Sequence, residues 1–212
     1  MRLLLTGTLL SAFLLTGCSE EEHPIDAYRK DFSEILTNTN GGTSYLVPDN
    51  GDTLHIANPL YGLQADTTYR QLATYVINEN VPNQARLVGL TPILVLTPFT
   101  TSAAHILSDY VNPVSIWRGG NYLNLTLDIL TRGKGHKFAL VHYGFVEADN
   151  GTRTLQTVLY HDANQDKEAY TRRVYLSAAL HQFQSVLQQG RDSISITLNS
   201  RKEGVITRTI PY

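Results

Sequence analysis

Tyr122-Leu123-Asn124-Leu125-Thr126-Leu127-Asp128-Ile129 places an aliphatic residue at every second position, with Tyr122, Asn124, Thr126 and Asp128 between them. Side chains alternate faces only on an extended strand, so this spacing gathers the four aliphatics on one side. It describes a half-buried antiparallel strand with its polar face outward. Arg132-Gly133-Lys134-Gly135 turns the chain, and 137–146 runs back. Ile194, Ile196 and Leu198 alternate with Ser195, Thr197 and Asn199 in the same manner. Further strands are expected at 154–161, 172–178 and 205–212. Six or seven strands joined by short turns predict a β-sandwich over 105–212.

Upstream the strand signals are shorter. Residues 43–47 form a strand, Pro48-Asp49-Asn50-Gly51-Asp52 a tight turn, and 53–56 the return. Ile25, Tyr28, Phe32 and Ile35 fall at helical spacing, but the segment is short and runs into a turn, so a strand is expected near 31–38, with a helical turn before it as the alternative. Another is expected at 69–77, with one more, or a bent pair around Pro92, at 86–90 and 93–96. Five short strands suit a small OB-like barrel over 31–104. Pro98 and the polar run Thr100-Thr101-Ser102 mark the break between the two parts. The fold class is therefore all-β, a small OB-like barrel followed by an antiparallel β-sandwich.

The N-terminus carries an address. Arg2 precedes an apolar run from Leu3 to Leu15 that is shorter than the roughly 20 residues of a spanning helix. A positive start, a short apolar core and small residues before a cleavage point describe a signal peptide, residues 1–17. Leu15-Thr16-Gly17-Cys18 resembles the lipobox of bacterial lipoproteins, which makes Cys18 the lipid-attachment residue and the lipid anchor the chain's membrane contact. Cys18 is the only cysteine, so no disulfide forms within the chain. Residues 18–30 form an acidic tether. Ser19 is not the Asp associated with inner-membrane retention, which favours the outer membrane. Glu20-Glu21-Glu22 resembles the surface-export signal of Bacteroidota lipoproteins and equally suits a solvated linker.

Composition and motifs narrow the chemistry. The chain of 212 residues is 42% hydrophobic, with a formal net charge of −2. It can build a core but offers no basic excess for nucleic acid. No nucleophile elbow, zinc-protease, P-loop or dinucleotide-binding pattern occurs. No catalytic residue, metal site or cofactor is therefore assigned, and the chain is read as a non-enzyme. His136 and His142 on one side of a strand, with His161 beside them, are the candidate metal ligands to test, but their spacing is not that of a structural zinc site, and they read as strand-end or hydrogen-bonded surface histidines. Asp162-Ala163-Asn164-Gln165-Asp166-Lys167-Glu168 begins like a calcium loop. Lys167 stands where the turn glycine belongs and Arg173 where the bidentate Glu belongs, so it reads as a solvated hairpin loop. Trp117 and Tyr122, on the outward side of adjacent strands, are the candidate ligand-binding aromatics. The competing reading has Trp117 filling or capping the sandwich core. Thr53, Thr67 and Ser193 follow Asp and resemble the Asp-Ser/Thr-apolar O-glycosylation acceptors of Bacteroidota.

A family resemblance spans the chain. Its landmarks are Asp49-Asn50-Gly51-Asp52-Thr53-Leu54, Asn112-Pro113-Val114, Gly119-Gly120-Asn121-Tyr122-Leu123-Asn124-Leu125, His136-Lys137-Phe138-Ala139-Leu140-Val141, Leu159-Tyr160-His161 and Asp166. In this order they resemble the NigD-like lipoproteins of Bacteroidota. The resemblance implies a lipobox, an OB-type N-terminal domain and a C-terminal β-sandwich, and it implies no defined activity. The expectation is a membrane-anchored envelope lipoprotein acting as a binding or assembly module, with a glycan or an envelope protein as partner. A surface glycan-binding accessory protein is one alternative, and a bacteriocin-associated accessory or immunity protein is the other.

Overall fold

The structure is a computed structural model and describes residues 28–101 and 108–212. The signal peptide, Cys18 and the acidic run after it lie outside the described residues.

The first part is a closed five-stranded barrel. Its strands are β1 (Arg29–Thr37), β2 (Thr43–Pro48), β3 (Leu54–Ile56), β4 (Thr68–Ile77) and β5 (Gln84–Pro92), in the order β1-β2-β3-β5-β4 with β4 returning to β1. β3 and β5 pair in parallel and the other neighbours are antiparallel. Alternate residues point inward, so Ile35, Leu46, Ile56, Ala73, Tyr75, Ala85 and Leu87 fill the lumen. Gly41 is needed in the β1–β2 turn. Its φ is +69°, and a Cβ there would sit 2.2 Å from the carbonyl oxygen of Leu63.

The second part comprises β6 (Leu94–Leu96), β7 (Asn112–Gly119), β8 (Tyr122–Thr131), β9 (Lys137–Glu147), β10 (Arg153–Asp162), β11 (Tyr170–Ala179), β12 (Ser193–Ser200) and β13 (Gly204–Pro211). They form two four-stranded sheets, β6-β11-β8-β7 and β13-β12-β10-β9. Leu123, Leu125, Leu127 and Ile129 meet Leu155, Leu159, Ile194, Ile196 and Leu198 between the sheets. A 3-10 turn, His181–Phe183, adds the buried Phe183 to this core. Among the described residues no helix is long and apolar enough to cross a membrane.

Three features depart from the sequence expectations. The sequence places 93–96 in the barrel, yet β6 pairs in parallel with β11 and so belongs to a sandwich sheet. The sandwich also contains a second parallel pairing, β10 with β12, because β11 crosses to the other sheet between them. Finally, the outward face of β8 is covered at its centre: Asn124 is 0% exposed and Thr126 8%, with Tyr122 and Asp128 half-buried. The barrel lies on it, and alternation within one strand carries no information about what another domain covers.

Candidate functional site

Asp49 lies in the turn directly after β2, Arg70 on β4, Asn124 on β8 and Ser177 on β11, and the fold brings all four together where the barrel meets the sandwich. Two Arg70 nitrogens, Nη1 and Nη2, reach the Asp49 carboxylate, each at 2.7 Å. Arg70 Nε donates to Ser177 Oγ at 3.1 Å, and Nη2 also donates to Asn124 Oδ1 at 3.0 Å. Asn124 Nδ2 donates to Asp49 at 2.6 Å, and Ser177 Oγ donates to Asn124 Oδ1 at 2.7 Å. The guanidinium also lies 4.0 Å from the centre of the Tyr122 ring. Tyr122 in turn donates its hydroxyl to Glu34 at 2.8 Å. Burial, reinforced by that carboxylate, pushes the Tyr122 phenol up to about 12, so it remains a donor. An enclosed ion pair needs further hydrogen bonds to survive, and here Nε and Nη2 of Arg70 make them, while Nη1 has the Asp49 carboxylate as its ion-pair contact. Gly119 is required beside it, because a Cβ there would meet Asp49 Oδ2 at 2.3 Å.

Next to this junction opens a cleft of about 680 Å³. Phe32 lies at its base, with Trp117 edge-on at 4.8 Å and Tyr175 edge-on at 5.9 Å between ring centres. Tyr75 donates its hydroxyl to Asp31 at 3.0 Å, and burial with that contact pushes its phenol up to about 12. The exposed Arg29 and Lys30 stand at the rim with Arg173, whose guanidinium is held by Asp128 at 2.9 Å and 3.0 Å. The Trp117 indole N–H, the Tyr175 and Thr126 hydroxyls and the Lys30 ammonium have no hydrogen-bond partner among the described residues. None of these four atoms is sealed from solvent.

Trp117 and Tyr122 do share a face of adjacent strands, since Trp117 pairs with Asn124 two residues along β8 from Tyr122. That face is covered in part, so the two residues separate in role. Tyr122 is engaged in the junction, while Trp117 packs on Phe32 and borders the cleft. Thr53 is exposed, whereas the hydroxyl of Thr67 donates to Ala65 O and that of Ser193 pairs with Thr154 at 2.8 Å.

His136 and His161 come together at the far end of the sandwich, and His142 does not join them. His142 instead packs edge-on against Phe183. His136 Nδ1 and His161 Nε2 are 2.8 Å apart, and His136 Nε2 is 3.3 Å from Asp166. The two ring nitrogens point at each other along a hydrogen bond rather than converging on a common point. Asp166 also accepts from Thr131 Oγ1 and from the backbone N–H groups of Arg132 and Lys134. The 162–168 loop thus spends its carboxylates within the protein: Asp162 caps the N–H of Asn164 at 2.7 Å. Among the described residues no three His, Cys, Asp or Glu side chains gather as a metal site.

The sequence pointed to Trp117, but not to Arg70, Phe32 or Tyr175. Each looks locally like an ordinary strand residue. The available signal was indirect: two landmark segments far apart in the chain, Asp49-Asn50-Gly51-Asp52 and Gly119-Gly120-Asn121-Tyr122-Leu123-Asn124, meet at Asp49, Gly119 and Asn124.

Residues 93–212 match the family model of the NigD-like C-terminal β-sandwich domain, more than half of the chain. The chain belongs to the NigD-like family. Solved structures agree on the architecture of this NigD-like protein. A NigD-like immunity protein from Bacteroides caccae is 26% identical, with a TM-score of 0.67 over 85% of this chain and 91% of that one. A protein of unknown function from Bacteroides vulgatus is 18% identical, with a TM-score of 0.70 over 87% and 90%. A candidate lipoprotein from Bacteroides fragilis is 14% identical, with a TM-score of 0.61 over 87% and 98%. No functionally curated protein matches the NigD-like chain.

Proposed function

We propose that this NigD-like protein is a non-enzymatic binding module of the cell envelope. In this reading it is anchored in the outer membrane through lipid on Cys18, and its working surface is the cleft between barrel and sandwich. One observation carries the reading. The Arg70–Asp49–Asn124–Ser177 network holds the two domains together, and beside it an aromatic-lined cleft keeps polar groups unspent. Pre-formed clefts that set polar groups among aromatic rings are where small ligands bind. A buried network explains structure; solvent-facing donors set beside aromatic rings can exchange water for a ligand.

The experiment has two arms. Cys18→Ser abolishes incorporation of labelled fatty acid and partition with membranes if the anchor is as read. The mature protein and its Trp117→Ala and Tyr175→Ala variants are then compared for capture of envelope components, glycans and proteins separately. Capture by the parent that both variants lose supports the cleft; capture that neither variant alters removes it.

A second reading is favoured by the relative described as an immunity protein, which makes a protein toxin the partner. Its signature is protection of a sensitive cell by the expressed chain. The same cleft variants decide whether protection uses this surface.

A further inference from the structure

We propose that the cleft takes an acidic oligosaccharide of two or three rings. The inference rests on the cleft being the working surface and adds what it binds.

The four unspent groups define the chemistry. The Trp117 indole N–H donates only, the Tyr175 and Thr126 hydroxyls donate and accept, and the Lys30 ammonium donates and carries charge. They stand beside the rings of Phe32, Trp117 and Tyr175. A fitting ligand must present apolar patches and hydroxyls within a few ångströms of each other, and it must carry negative charge. A purely apolar ligand would bury these four groups without partners, at a desolvation cost. An inorganic anion would leave the aromatic walls unused. A pyranose meets both demands, with C–H faces for the rings and hydroxyls for the polar groups, and a carboxylate or phosphate on it answers Lys30.

The other charges around the cleft are already assigned. Asp49 is bound by Arg70 and Arg173 by Asp128, while Asp31 accepts from Tyr75. Tyr75 is neutral, so Asp31 keeps its charge, and Arg29 also contacts the Tyr75 hydroxyl; with Arg29 and Lys30 both exposed at the rim, the balance a ligand meets on entry is one positive charge, with Lys30 free to make the contact. A volume of about 680 Å³ falls within the range of small-ligand sites. The strand that carries Arg29 and Lys30 is also where the chain enters the barrel.

Trp117 is the only tryptophan in the chain, so its fluorescence reports on this cleft alone. The mature protein is titrated with uronate-bearing and phosphate-bearing oligosaccharides of two to four rings, and with their neutral counterparts. The expected result is a saturable fluorescence change with acidic members and at least about tenfold weaker binding of the neutral ones. Lys30→Gln, an exposed change that leaves the fold intact, brings acidic and neutral affinities together. Thr126→Val weakens both. Binding that is equal for acidic and neutral sugars, or unaltered by Lys30→Gln, overturns the acidic assignment. A complete lack of saturable signal across the panel overturns the sugar. If envelope capture still depends on Trp117 and Tyr175 in that case, the cleft reading stands and only this inference falls. If capture ignores those residues as well, both fall.

Discussion

Arg70 is 6% exposed, and it holds a carboxylate, an amide, a hydroxyl and an aromatic ring at once. Removing it leaves Asp49 partly buried without its counter-ion, which for an enclosed pair costs about 3–5 kcal/mol. Arg70→Met is expected to lose that much in chemical denaturation, and adding Asp49→Leu to recover a good part of it. Full loss in the double variant would mean that the network acts through packing rather than charge. Acid addresses a different residue. Burial holds His161 below its ordinary value of 6.5, and burial does the same to His142. The folded chain therefore binds fewer protons than the unfolded one as pH drops below 6.5, and the stability present above that value is lost on acidification. The Thr131 hydroxyl and the backbone N–H groups of Arg132 and Lys134 hold the Asp166 carboxyl well below its usual 3.8, so its contribution lasts to lower pH before it too is lost. Melting temperatures read between pH 8 and 5 should fall toward the acid end, with a shallower fall in His161→Gln. A melting temperature that climbs toward pH 5 would contradict the assignment. None of this was legible in the sequence, because a buried histidine and a strand-end histidine are written identically.

At the scale of elements, the alternation in β8 and β12 was sufficient to place both strands and their inward faces. It failed where the partner was not local. Leu94–Leu96 follows β5 after the single residue Ile93, and proximity alone attached it to the barrel. Its hydrogen-bonding partner, Leu176–Ala178, is more than eighty residues away. The structure therefore makes a direct prediction about fragments. A chain of residues 93–212 retains β6 and should fold with dispersed amide resonances, whereas one of residues 105–212 leaves the β11 edge bare and should aggregate or lose stability. Equal behaviour of the two would show that β6 contributes nothing to the sandwich. The face of β8 teaches a related lesson. Asn124 looks like a solvent-side residue by its spacing, and it is buried because Arg70 and Asp49 arrive from another domain.

The whole molecule behaves as two folds with one seam. The all-β class and the order of barrel and sandwich were legible from strand lengths and turns, since those are local. The seam was not, because it is made of single residues drawn from three strands and one turn of both parts. Its energetic weight predicts one cooperative heat-absorption transition for the native chain. Arg70→Met should split this into two transitions, as each domain then unfolds on its own account. A single transition persisting in that variant would place the coupling elsewhere, with Phe32 and Trp117 the next contact to test.

The parallel seating of β6 against β11 also orders events in time. Every strand of the barrel is available once residue 92 has emerged, and its pairings are mostly between chain neighbours, so it can close early. Leu94 and Val95 must then wait, with hydrogen-bonding edge and side chains uncovered, until the stretch around Leu176 to Ala178 arrives. A nascent chain halted between those points would carry a finished barrel trailing an adhesive end, which is the species a chaperone would have most reason to hold.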